Sequence, residues 1–241
     1  MDRNGQAQEQ AWEAEYRSPQ MLSRTNRPSA DIERFTKWIR RKWRLAGLPN
    51  DFDGMTVLDL GTGTGRNAFH FAEWGAKVIG YEVSDTALAL ARGFAQEAGL
   101  PITYEKRDIG APYPLPDASV DIVLDVTSSN SLSDAARDTY LSEMFRVLKP
   151  GGHAFVRALS KEGDDNAKTL IKRAPGPDPD SYVHPDLKIA EKTFTKGTFT
   201  ERYGRWFRIA ELAQSTHYPT VGGRLYKRKY WTAYLEKPTG A

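Results

Sequence analysis

Four carboxylates stand at the ends of strand-like runs: Asp59 after Val57-Leu58, Glu82 after Val78-Ile79-Gly80-Tyr81, Asp108 after the run 102–107, and Asp125 after Val120–Leu124. The first is followed by glycines at alternate positions, Gly61, Gly63 and Gly65. A glycine turn after a strand lets backbone approach a ligand where a Cβ would block it or where φ must be positive. An acid about twenty residues further on, here Glu82, can accept hydrogen bonds from both hydroxyls of a ribose. The chemistry this pairing serves is nucleoside binding. The spacing is G-x-G-x-G, whereas a dinucleotide fingerprint would need a third glycine where Arg66 stands, so a nicotinamide-dependent oxidoreductase is disfavoured.

The elements that must position these groups alternate regularly. Hydrophobic patterning predicts strands near 56–60, 76–82, 102–106, 120–126 and 153–157, and helices near 65–74, 84–98 and 133–147. Alternation of this kind implies an α/β fold with a parallel sheet. Before it, Ile32, Phe35, Trp38, Ile39 and Trp43 recur at helical spacing, predicting an amphipathic helix over 29–46 with Ser29 as N-cap. A shorter helix is expected around 7–16, where Trp12 and Tyr16 share a face. The turn Lys149-Pro150-Gly151-Gly152 should separate the third helix from its strand. Residues 158–190, rich in Gly, Pro and Asp, read as an inserted loop region with one short helix at 165–173. Strand-like runs at 206–217 and 224–236 flank a hairpin-like turn at 219–223. Residues 1–50 are expected to form a helical lid or cap on a domain spanning 51–241.

Composition narrows the classes. With 241 residues, 39% hydrophobic and 27% charged, the chain can bury an ordinary core. No apolar run approaches the ~18–20 residues that cross a bilayer, and the first residues, Met1–Gln6, are polar rather than signal-like. Cysteine is absent, which removes disulfides and thiolate catalysis and fits a cytoplasmic setting. Only four histidines are present, with no metal-ligand spacing, so no metal is expected. Net charge is +3, but basic residues concentrate in 31–46 and 192–230. These segments either steer an anionic partner such as RNA or form solvated faces and a charge-protected edge strand.

The stretch Asp59–Asn67 resembles motif I of the class I S-adenosylmethionine-dependent methyltransferases. Glu82, Asp108, the run Val120–Asp125 and the turn Val147–Gly152 match later motifs of that family in order. The likeness covers residues 52–158 well and the hairpin less specifically. More loosely, the Gly-Arg-Asn ending of the glycine turn and the segment Phe199–Tyr203 are similar to small-molecule methyltransferases of the tellurite-resistance type. The resemblance implies a Rossmann-like, seven-stranded, mostly parallel sheet with helices on both faces and an antiparallel C-terminal hairpin. It implies S-adenosylmethionine as cofactor. It assigns Asp59, Gly61, Thr62, Gly63, Gly65, Arg66 and Asn67 to the methionine half and ribose, and Glu82 to the ribose hydroxyls. Val83, Asp108 and Ile109 fall to the adenine, and Asp125 and Val126 to the ligand end of the fourth strand.

Substrate-side candidates are Trp12, Tyr16, Ser128, Asn130, Arg157, His184 and Tyr203. Trp12 and Tyr16 read either as an aromatic lid over the sulfonium or as core packing. Arg157 reads as a binder of carboxylate or phosphate or as half of an ion pair. His184 reads as a general base or as an exposed loop histidine. The segment Asp125–Asn130 departs from the Asn/Asp-Pro-Pro-aromatic signature of exocyclic-amino methyltransferases. The functions in contention are therefore a small-molecule methyltransferase, an RNA or protein methyltransferase using the basic segments, and a cofactor-binding module without turnover.

Overall fold

The computed structural model describes residues 3–19, 27–221 and 223–240. Gly222, within the turn expected at 219–223, and Met1 and Asp2 lie outside the described residues.

Two helices come first, α1 (Arg3–Arg17) and α2 (Ala30–Leu45). Alternating elements follow: β1 (Thr56–Leu60), α3 (Arg66–Ala72), β2 (Lys77–Glu82), α4 (Asp85–Ala98), β3 (Thr103–Lys106), β4 (Val120–Val126), α5 (Asp134–Val147) and β5 (Leu148–Ser160). Next come α6 (Asp165–Arg173), β6 (Ser181–Val183), β7 (Ala190–Phe194) and α7 (Lys196–Gly204). The chain closes with β8 (Arg208–His217), the short β9 (Thr220–Val221) and β10 (Arg224–Leu225), and β11 (Arg228–Glu236).

The main path through the sheet is β3-β2-β1-β4-β5-β11-β8. Its first five strands pair in parallel, and β11 runs antiparallel to both β5 and β8. Strand order reverses between β1 and β4, and open α/β sheets form their ligand crevice at such a reversal, beyond the carboxyl ends of the strands.

Helices cover both faces because strand side chains alternate. On one face Val57, Ile122, Leu124 and Phe155 meet Ile32, Phe35 and Ile39 of α2, with α3 and α4 alongside. On the other, Leu58, Leu60, Val123 and Val156 meet Tyr140, Leu141 and Met144 of α5, together with Phe199 and Tyr203 of α7. Ser29 caps α2 by accepting from the Ile32 amide at 3.4 Å. Phe35 packs on Phe155 and Tyr234, with centroids at 5.6 and 5.2 Å, so α2 is part of the sheet's packing.

Three differences from the sequence expectations have physical causes. Extended backbone begins at Leu148, upstream of the expected 153, because just past the end of β11 the Lys237 carbonyl accepts from the Gly151 amide and the Lys237 amide donates to the Gly152 carbonyl. The insertion at 158–190 contains the predicted helix but also feeds the sheet: β7 pairs in parallel with the end of β5, and β6 pairs with β7. A further helix, α7, forms at 196–204, capped by reciprocal Thr195–Thr198 bonds. Among the described residues no helix is long and apolar enough to cross a membrane.

Candidate functional site

The turn after β1 carries Gly61 at φ 67° and Gly63 at φ 58°, the left-handed region that suits glycine. A Cβ on Gly61 would collide with Ser128, and one on Gly63 would sit 2.5 Å from the Tyr16 hydroxyl. The bare backbone therefore forms one wall of a narrow space between the turn, α1 and the loop after β4. Gly65, the N-cap of α3, closes the turn.

Two buried acids organise this wall. Glu82, at the end of β2, accepts from the amides of Gly63 (3.0 Å), Val83 (2.8 Å) and Ser84 (3.0 Å). Burial raises its pKa, and the three amide donors oppose that rise. Asp59 accepts from the Thr62 hydroxyl at 2.7 Å. Burial, with a lesser push from Asp125, lifts its pKa to about 7 against the pull of that hydrogen bond and of Arg66.

Helix α1 spans the opening. Glu13 accepts from the hydroxyls of Ser84 and Thr86, both at 2.6 Å, and from the Thr86 amide at 3.2 Å. Burial opposes its ionisation, but these donors hold its pKa at about 2. Trp12 donates to the Ser131 hydroxyl (3.2 Å), Glu9 pairs with Lys106 (2.8 Å), and Gln8 accepts from the Ala190 amide (3.0 Å). One helix thus touches the cofactor-type turn, the loop after β4 and the insertion.

The cleft beneath α1 has a volume of about 1190 Å³. A single small ligand typically occupies a pocket of ~300–1,000 Å³, so two ligands can share this one. Gly61, Thr62, Gly63, Arg66, Asn67, Glu82, Val83, Asp108, Ile109 and Val126 line it, as do Trp12, Tyr16, Ser128, Asn130 and Arg157. Asp108 accepts from the Gly110 amide at 2.8 Å, which fixes the loop carrying Ile109.

Five other sequence candidates do not line the cleft. Gly65 ends the turn facing Tyr104 and Phe69, and Asp59 is buried beneath it. Asp125 is fully buried and turns inward, accepting from the Ser128 and Ser129 amides (2.8 and 3.2 Å) and the Tyr140 hydroxyl (2.6 Å). It holds the 3-10 turn Ser128–Ser131 in place. Tyr203 is core, stacked on Phe199 at 4.2 Å. His184 is neither exposed nor in the cleft: it is buried, and its Nδ1 accepts from the Asp186 and Leu187 amides, both at 3.3 Å.

Arg157 combines both expectations for it. Its guanidinium lies on the cleft, 3.0 Å from buried Asp31 of α2 and 5.1 Å from the Tyr230 ring centre. Sequence reasoning missed Asp31, Glu13, His217 and Tyr230. Each acts across more than 65 residues of chain, and no local pattern marks them. Much of the basic character of 31–46 and 192–230 is spent internally: Lys42 and Arg208 pair with Glu236, Arg202 with Asp134 and Asp138, and Arg228 with Asp164.

A family model described as a methyltransferase domain matches residues 57–152. The chain is 33% identical over 120 residues to a ubiquinone biosynthesis O-methyltransferase of Brucella anthropi, a match covering 49% of this chain and 46% of that protein. It is 36% identical over 120 residues to a demethylmenaquinone methyltransferase of Thermus thermophilus, covering 49% and 53%. The chain thus spans about half the length of the curated relatives it matches. Its fold superposes with a TM-score of 0.65 on 1,6-didemethyltoxoflavin-N1-methyltransferase of Burkholderia thailandensis, solved with 1,6-didemethyltoxoflavin and S-adenosylhomocysteine bound. That likeness covers 97% of this chain and 88% of the other at 14% identity.

Proposed function

We propose that the chain is a class I S-adenosylmethionine-dependent methyltransferase that transfers the methyl group of this cofactor to a small-molecule acceptor. The observation that carries the proposal is the Gly61–Gly63 cradle facing Glu82 in a cleft large enough for two ligands. The cradle fits the cofactor because Gly61 and Gly63 line the cleft with bare backbone beside Glu82, in a space so narrow that a Cβ at either would meet Ser128 or Tyr16. The names of the relatives, which act in quinone biosynthesis or on a toxoflavin precursor, support a small acceptor.

The residues divide the work as follows. The turn Gly61–Gly63 presents bare backbone to the ribose and the amino-acid arm. Glu82 takes the ribose hydroxyls, and its three amide donors keep the carboxylate aimed. Val83 and Ile109 face the adenine, and Asp108 accepts from its exocyclic amine. Arg66 holds the cofactor's carboxylate. Asp59 orients Thr62 from beneath, and Asp125 orients the Ser128–Ser131 turn. α1, with Trp12 and Tyr16, covers the reacting centre and excludes water.

The cofactor supplies a methyl group on a sulfonium, with a neutral thioether as leaving group. Catalysis is then chiefly alignment of the acceptor atom in line with the breaking bond, in a dry site. An acceptor that ionises near neutral pH needs no base from the protein.

Calorimetry with S-adenosylmethionine, S-adenosylhomocysteine and NAD tests this, beside Gly63→Arg. Binding of both sulfur nucleosides, abolished in the variant and absent for NAD, is expected. Failure of the folded wild type to bind either one overturns the proposal.

A further inference from the structure

Beyond the glycine turn, the cleft is lined by Arg157 and Asn130, each with a buried N–H donor that has no partner among the described residues. Arg157 sits where the end of β5 pairs with Val126 of β4. Its walls come from α2 and the C-terminal hairpin, through Asp31, Tyr230 and His217, and not from the glycine turn. One guanidinium nitrogen bonds Asp31, while the buried Nε has no hydrogen-bond partner among the described residues. Asn130 is alike: its Oδ1 accepts from the Leu159 amide at 3.2 Å, which fixes the side-chain orientation, and its buried Nδ2 donor has no partner. Both residues line the cleft.

The charges do not cancel. Asp31 is the acid paired with Arg157, and it also pairs with Arg34. His217, 3.5 Å from Asp31, adds no acid, and burial together with Arg157 lowers its pKa. Arg66 lines the same cleft, and burial and the Arg157 charge lower its proton affinity. Two guanidiniums repelling one another in a half-buried space are stabilised by an anion between or beside them, and a guanidinium recognises oxyanions in a fork geometry.

We propose that Arg157, held by Asp31 and backed by Tyr230, is the acceptor-recognition residue of this cleft, and that the acceptor is a small organic acid whose carboxylate or phosphate binds there with help from Asn130. This rests on the methyltransferase function proposed above and names the substrate class it would use. It divides the two cationic groups: Arg66, on the glycine-turn side, serves the cofactor's own carboxylate, and Arg157 serves the acceptor's.

The test uses the full chain saturated with S-adenosylhomocysteine and three probes: benzoate, phenyl phosphate and benzyl alcohol. Ligand-observed NMR should detect benzoate or phenyl phosphate at least about 10-fold tighter than the alcohol. Arg157→Gln should remove that preference, a loss of roughly 10- to 100-fold as for a hydrogen bond to a charged group, with unchanged affinity for S-adenosylhomocysteine. Because Arg157→Gln leaves Asp31 buried and less compensated, the double variant D31N/R157Q is measured beside it, with the cofactor product's affinity as the check on folding. Equal binding of acid and alcohol probes, or binding of none, overturns the acceptor assignment alone. A fall in affinity for S-adenosylhomocysteine but not for 5′-methylthioadenosine, which lacks the amino-acid arm, in Arg157→Gln would reassign the site to the cofactor's carboxylate. Failure of the wild type to bind S-adenosylhomocysteine at all overturns the methyltransferase function and this proposal with it.

Discussion

The two halves of the cleft are built in different ways. The half around the glycine turn is local: β1, its turn and the end of β2 supply Asp59, Gly61, Gly63 and Glu82 within 24 residues, and the bonds to Glu82 come from backbone amides. The other half is assembled from distant chain segments. Arg157 meets Asp31 across 126 residues, Trp12 meets Ser131 across 119, and Gln8 meets Ala190 across 182. Backbone donors in a local turn suit a ligand that never changes. Side chains borrowed from an insertion, a hairpin and an N-terminal helix can be exchanged without disturbing that turn.

The largest effect should come from blocking the local half. In Gly63→Arg a long side chain is placed at φ 58°, where even a Cβ lies 2.5 Å from the Tyr16 hydroxyl. Cofactor affinity measured by calorimetry should fall at least about 1,000-fold, since strain and overpacking add to lost ligand volume. Wild-type affinity in this variant would break the comparison, because the cradle would not be where the cofactor sits.

Next is the joint that holds the distant half together. Asp164, fully buried, caps α6 through the Ala167 amide (2.8 Å) and meets Arg228 (3.1 Å) and the Lys229 amide (2.9 Å). Asp164→Ala leaves a buried guanidinium with less compensation, a loss of about 3–5 kcal/mol, read as a lowered denaturation midpoint. If the halves are separable, S-adenosylhomocysteine affinity under native conditions should stay within about 3-fold of wild type while cleavage within 158–190 accelerates, as expected for local opening. Parallel loss of both would mean that the cleft folds and fails as one unit.

The same division explains what the sequence reveals. The strands at 56–60 and 120–126 fall where hydrophobic patterning puts them, and α4 and α5 begin one residue later than expected, after their Ser84 and Ser133 caps. These are short-range consequences of side-chain period and capping. Strand β6 is three residues long, too short to express a period, and sits in a segment whose Pro, Gly and Asp content reads as loop. Asp125 illustrates the limit at the site. Its place at the end of β4 is legible, but its inward rotation is set by the Tyr140 hydroxyl on a helix that follows. His184 is buried by its own turn, which residue type alone does not reveal.

A smaller effect tests the electrostatics of the local half. The folded pKa of Asp59 is about 7, above its ordinary 3.8. A raised acid pKa means that the folded state holds the proton more tightly, so stability is highest below about pH 4 and is lost as pH rises through 7. Asp59→Asn should therefore stabilise the ligand-free protein more at pH 8 than at pH 5, by roughly 2 kcal/mol in the difference. Denaturant midpoints at the two pH values measure it. A pH-independent difference would mean that Asp59 is ionised throughout, balanced by Arg66.

The smallest effect concerns the helix that bridges the halves. Glu13 ties α1 to the N-terminus of α4, and its side chain is 19% exposed. With a folded pKa of about 2 against an ordinary 4.5, its contribution is present above pH 4.5 and is lost as pH falls towards 2. Glu13→Ala should cost about 1–2 kcal/mol of local stability, the scale of hydrogen bonds to a charged group. The expected readout is faster proteolysis within residues 3–17 at pH 7 and cofactor affinity reduced by roughly 5- to 10-fold. The wild-type helix should loosen in the same way near pH 3. Trp12–Ser131 and Gln8–Ala190 anchor α1 to the distant half and the Glu9–Lys106 pair anchors it to β3, so unchanged proteolysis would mean that these three contacts hold the helix without Glu13.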